Sequence, residues 1–159
     1  MADLRGALTA GGFADVRTHL QSGNVLLRSE LSGDALVVEL ERQIHRAFAL
    51  DVGVVVRTRE ELAAVVALDP LRTVASDRRL YQVSFLAEAP TEAIIERVSA
   101  AAHPPEAVYV CGREVYAWHP EGSARSRLAL TLSDRKLGVV ATARNWNTVA
   151  SLLELAGED

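Results

Sequence analysis

Cysteine is all but absent from the chain. Cys111 stands alone, so no disulfide within the chain and no cysteine-based zinc cluster can form. Lysine is as scarce, with Lys136 the single one among 17 basic residues. Positive charge is in overall deficit: 21 acidic residues outnumber the 17 basic ones, for a formal net charge of -4. That balance argues against a protein that coats DNA or RNA through a general basic surface, and it leaves room only for a local basic patch. No apolar run approaches the ~18 residues that read as a membrane span; apolar stretches such as Val52–Val56 have strand length. Asp3 and Arg5 interrupt any leader-like pattern at the N-terminus. The expected compartment is therefore the cytoplasm, and a membrane is not an expected partner.

What is present is apolar material for a real core, 49% of 159 residues, enough for one domain or two small ones. Residues 2–11 read as a short helix with Leu4 and Leu8 one turn apart and Gly11–Gly12 ending it. Two strands, 16–20 and 24–29, flank Ser22–Gly23, a hairpin signal. Asp34 is placed to cap a helix whose apolar residues Leu36, Val37, Leu40, Ile44, Ala47 and Phe48 recur at helical spacing. Val52–Val56 follows as a nearly continuous apolar strand, expected to be buried on both faces. Thr58 with Glu61 forms a capping box for a helix to about Val66, and Asp69–Pro70 stops it.

The polar stretch from Leu71 to Arg79 reads as a linker or exposed loop. Beyond it come a strand at 80–86, a helix from Pro90–Thr91 to about Ala102, and strands 107–111 and 114–119 around Gly112–Arg113. A helix over 126–137 carries Arg135 and Lys136 in its last turn, suited to the negative helix end. Residues 139–143 look extended, and Asn145 can cap a final helix. The second half thus has the βαββαβ order of a ferredoxin-like unit, and the first half has the same order without its opening strand. The expected fold class is α+β: two ferredoxin-like halves, residues 1–70 and 80–159, the first incomplete, plus a C-terminal helix. The absent strand is central in that topology, so its neighbours would be left with unpaired backbone groups. An unpaired sheet edge of this kind is a candidate surface for homo-oligomer assembly.

Several strings carry a family resemblance. They are Asp3-Leu4-Arg5, Gly12-Phe13, Val16-Arg17-Thr18, Leu20-Gln21-Ser22-Gly23-Asn24-Val25, Gly112-Arg113-Glu114-Val115-Tyr116, Arg125-Ser126-Arg127-Leu128 and, most specific, Thr142-Ala143-Arg144-Asn145-Trp146-Asn147-Thr148. From Met1 to about Leu155 the chain resembles the bacterial family called domain of unknown function 1697. The resemblance implies two ferredoxin-like halves. It also implies a further opening strand with an Arg-Gly-Ile-Asn-Val-Gly-Gly-like loop, which this sequence lacks. It brings no biochemical activity with it.

Chemistry-bearing motifs are few. His19, His45, His103 and His119 are scattered, with no metal-ligand spacing, and no phosphate loop, nucleophile elbow or dinucleotide fingerprint occurs. No catalytic residue, cofactor or metal is assigned. Gln21 and Asn24 belong to a hairpin turn and serve turn chemistry or a ligand. One segment stands out: from Arg113 to Asn147 the basic residues Arg113, Arg125, Arg127, Arg135, Lys136 and Arg144 outnumber Glu114, Glu121 and Asp134. Arg125 and Arg127 flank one helix start and Arg144 another, where the positive dipole end disfavours arginine unless an anion offsets it. A phosphate or carboxylate could take helix N–H groups and a bidentate grip from arginine.

The sequence therefore points to binding of a small anionic or phosphate-bearing ligand through Arg125, Ser126, Arg127, Arg144 and Asn145, with Gln21 and Asn24 as further contacts. Nucleic-acid binding is a disfavoured alternative, since a stacking sheet needs exposed aromatics and the strand at 24–29 has none. A structural or assembly role, or an enzyme with an unrecognised site, completes the alternatives.

Overall fold

The computed structural model describes residues 1–157, apart from the side chains of Asp134 and Arg135. Helices and strands mix in the α+β manner, and the chain divides into two compact units. The first is residues 1–56 with the last residues from Glu154, and the second is Arg57–Leu153.

In the first unit, α1 (Ala2–Ala10) ends at Gly11, and β1 (Ala14–His19) and β2 (Asn24–Arg28) form an antiparallel hairpin. Gly23 takes φ +76 in its turn, a conformation glycine adopts without strain. Helix α2 (Gly33–Phe48) lays Leu36 and Leu40 onto Leu8, Phe13 and Val16. Its N-cap is Ser32 rather than Asp34, which sits in the first turn. The strand expected at Val52–Val56 is not one: the segment is extended but joins no ladder. A ladder needs a neighbouring edge, and β1 and β2, the other extended segments of this unit among the described residues, pair with each other instead. Val54 and Val56 still pack on the core cluster, and the Glu41 carboxylate accepts from Val54 N–H at 3.0 Å. Val52 is largely exposed, so the segment is not buried on both faces.

The second unit opens with α3 (Arg59–Leu68). Thr58 and Glu61 make the expected reciprocal capping box. After a turn-rich segment come β3 (Tyr81–Leu86), α4 (Glu92–Ala101), β4 (Ala107–Cys111), β5 (Glu114–Trp118), α5 (Arg127–Thr131), α6 (Asp134–Leu137), β6 (Ala141–Asn145) and α7 (Trp146–Ala156). The sheet order is β4-β5-β3-β6, all antiparallel, with β3 between β5 and β6 as the ferredoxin-like order requires. The single helix expected over 126–137 is two short ones. The Ser133 hydroxyl donates back to Leu130 C=O at 2.7 Å, the kind of local bond that competes with helix propagation.

The two faces of this sheet are different. On one, Leu86, Val115 and Ala117 meet Val98 and Ala101 of α4 and Leu128, Leu132 and Leu137 of the α5–α6 region. On the other, strand alternation and register align Tyr81, Val83, Phe85, Tyr116, Trp118 and Arg144. This aromatic face is buried, with Tyr81 0% and Tyr116 1% exposed. Trp146 stacks on Tyr81 with centroids 4.7 Å apart. Arg78, ion-paired to Asp69, lies over both rings. The segment expected as a linker, 71–79, therefore contributes to the packing: Leu71 and Ala75 are buried in it and Arg78 clasps the stack.

Candidate functional site

Ser126 is the N-cap of α5, and its Oγ accepts from Ala129 N–H at 2.9 Å. The same hydroxyl donates to Glu106 Oε1 and lies 3.1 Å from His119 Nδ1. Glu106 Oε1 is itself 3.2 Å from His119 Nδ1. Serine, histidine and glutamate thus meet in one cluster, but not as a nucleophile relay. A relay places the hydroxyl on one ring nitrogen and the carboxylate on the other. Here both lie on Nδ1, while His119 Nε2 is buried with no hydrogen-bond partner among the described residues. The cluster instead ties the 103–106 turn to the start of α5. No local pattern marks Glu106 or His119 for this role, because their meeting depends on tertiary approach of β5 to the turn before β4.

Burial pushes the Glu106 carboxyl up, but hydrogen bonds from Ser126, His119 and the His103 backbone outweigh it and hold the group below the usual carboxylate range. A carboxyl depressed in the folded state stabilises above its unfolded pKa, about 4.3, and that contribution is lost as pH falls through the folded value. Urea unfolding from pH 7 downward is expected to show a steepening acid loss that Glu106→Gln flattens. Parallel pH profiles for the two proteins would refute it.

The remaining sequence-selected residues fall in different places. Gln21 and Asn24 belong to the first unit. Gln21 is exposed, whereas Asn24 is buried and donates to His19 C=O at 3.1 Å and Ser22 Oγ at 2.9 Å, holding the turn. Asn145 closes β6 and caps α7, its Oδ1 accepting from Thr148 N–H and Thr148 Oγ1. Arg144 is half-buried and donates to Thr142 Oγ1 and Ala143 C=O. Burial pushes its guanidinium pKa down. It leaves the sheet opposite Val83, on the aromatic face, while α5 packs on the other. Arg125 and Arg127 flank Ser126, both exposed, and neither forms an ion pair among the described residues. Arg28, Arg57, Arg78 and Arg113, by contrast, each hold a carboxylate.

A shallow cleft of about 310 Å³ lies between α3 and the β4–β5 hairpin, lined by Glu61, Val65, Cys111, Arg113, Glu114 and Tyr116. Its charges are already satisfied, Arg113 by Glu61 at 2.6 Å and Glu114 by Arg57 at 2.7 Å. Among the described residues no group of three or more His, Cys, Asp and Glu could hold a metal ion, and no helix is long and apolar enough to cross a membrane.

A family model described as "Protein of unknown function (DUF1697)" matches residues 1–116. No curated protein matches the chain. Among solved structures the chain is similar to one described as that of the conserved bacterial protein SP0830 from Streptococcus pneumoniae. The two share 20% identity, with 99% of this chain and 89% of that chain covered, at a TM-score of 0.76. At that identity the likeness speaks to the fold alone.

Proposed function

The chain belongs to the DUF1697 family of proteins of unknown function, and from that premise we propose that it binds a small phosphate- or carboxylate-bearing ligand, with Arg125 and Arg127 as the cationic contacts. One observation carries this reading: the two exposed arginines on either side of Ser126 form no ion pair among the described residues, in a chain whose net charge is -4. Guanidinium groups grip phosphate and carboxylate oxygens in pairs. Ser126 and Asn145 use their side-chain oxygens to cap their own helices and are not counted among the contacts. The buried aromatic face supports a small ligand over a single-stranded nucleic acid, since base stacking needs accessible rings and Tyr81, Phe85, Tyr116 and Trp118 are covered.

The test is thermal and chemical unfolding with pyrophosphate, nucleotides, phosphosugars and dicarboxylates at low salt. A ligand present at about 100 times its Kd stabilises by about 2.7 kcal/mol. That gain is expected to vanish in Arg125→Ala/Arg127→Ala, whose own stability stays within about 0.5 kcal/mol of the parent. An Arg144→Ala arm reports whether that residue shares the ligand. No stabilisation by any anion, or an unchanged gain in the double variant, would refute the reading.

A further inference from the structure

Strand β4 is an edge of the four-stranded sheet, and its five residues, Ala107–Cys111, carry no charge, glycine or proline. Edge strands normally bear such blunting devices. The phase of the ladder shows which backbone groups the edge presents. Leu86 N–H donates to Arg113 C=O and His119 N–H to Leu80 C=O, so residues 113, 115, 117 and 119 turn their backbone groups toward β3. Those of 114, 116 and 118 turn toward β4, where their partners are Cys111, Tyr109 and Ala107. Alternation then leaves the N–H and C=O of Val108 and Val110 directed outward, and no turn, loop or cap bond of the described residues reaches them.

These four groups are symmetric about Tyr109. We propose that β4 pairs antiparallel with β4 of a second copy of this chain, on a two-fold axis at Tyr109, joining two sheets into one of eight strands. Val108 faces Val110 of the second copy and exchanges both backbone bonds with it; the symmetric pair does the same. The neighbouring symmetric registers are poorer. One sets Val110 against Glu106, whose N–H is already bonded to His103 C=O. The other sets Val108 against Gly112, which is in the turn at φ +58. In the chosen register Cys111 faces Ala107 and Gly112 faces Glu106, so no like charges meet. Val108 and Val110, packed against the helix-side core, extend that apolar layer across the axis. Tyr109, 45% exposed and tilted against Tyr116 at 6.3 Å, meets its own copy as an aromatic cross-strand pair.

The experiment is sedimentation of the full chain across a dilution series, with two variants. The parent is expected at twice the mass of one chain, and Tyr109→Lys, folded by circular dichroism, at half the parent's mass. Tyr109→Cys in a Cys111→Ser background is expected to be captured by oxidation as a disulfide dimer. A facing non-hydrogen-bonded pair sets the Cα atoms about 4.5 Å apart, within disulfide reach. Cys111 of the parent lies four positions out of register with its copy and is expected not to cross-link. A monomer at every concentration, a dimer indifferent to Tyr109→Lys, or cross-linking through Cys111 in place of position 109 would overturn the proposal. The Tyr109→Cys result decides it if Tyr109→Lys does not fold.

Discussion

Glu114→Ala is expected to destabilise the second unit by about 3–5 kcal/mol, the cost of leaving a buried charge without its counter-ion. The side chains of Arg57 and Glu114 are only 7% and 17% exposed, and Arg57 Nε donates to Glu114 Oε1 at 2.7 Å. Arg57 Nη2 also reaches Leu86 C=O at 2.8 Å and Arg113 C=O at 3.2 Å. Its guanidinium lies 5.6 Å from the centroid of Phe85. This one side chain therefore fixes the residue before the α3 cap onto the ends of β3 and β5. Removing the carboxylate takes the counter-ion from a side chain only 7% exposed, where little water can replace it. Replacing both groups by apolar ones of similar size, Arg57→Met with Glu114→Leu, is expected to recover most of the loss, because the desolvation of both charges is then avoided. Equilibrium urea unfolding of the parent, the single and the double variant measures this. A single variant within about 1 kcal/mol of the parent would mean that the pair is screened as a surface pair is.

The sequence made the second unit legible because its signals were local. Thr58 with Glu61, Thr91, Gly112 and Asn145 each mark a boundary through a bond spanning three residues or fewer, and each stands where expected. Given those boundaries, the βαββαβ order admits few topologies, and the strand order followed. Two of the differences from expectation are tertiary in origin, unlike the split of the 126–137 helix, which follows a local Ser133 bond. Val52–Val56 has strand composition, yet pairing depends on a neighbour that composition does not report. The 71–79 stretch reads as polar because Arg78 and Asp77 are charged. Leu71 and Ala75 bury themselves beside them, and Arg78 spends its charge on Asp69 and two rings. The candidate site divided in the same way. Ser126 and Asn145 are caps, which spacing can show, whereas Glu106 reaches Ser126 from 20 residues away and no pattern in the chain announces it. The face on which Arg144 leaves the sheet also needed register, since a one-residue slip would have moved it to the other.

Trp146→Ala is expected to cost about 3–5 kcal/mol, and its consequences reach further than the cavity. Trp146 is 8% exposed and lies parallel to Tyr81, with 3° between the ring planes. Arg78 sits 5.1 Å from the Trp146 centroid and 5.6 Å from that of Tyr81. The three side chains draw α7, β3 and the 71–79 segment onto one face of the sheet. Without the indole, Tyr81 loses its stacking partner and its cover together. Burial raises the Tyr81 phenol well above the usual tyrosine range, so water admitted by the substitution is expected to bring it back toward about 10. Absorbance titration of the phenols reads that change independently of stability, and Trp146→Phe, which keeps a stacking ring, is expected to leave it mostly in place. If the alanine variant unfolds as the parent does and Tyr81 still titrates high, the cover is held by the Arg78–Asp69 pair and not by the stack. In that case Arg78→Ala would have to produce both effects.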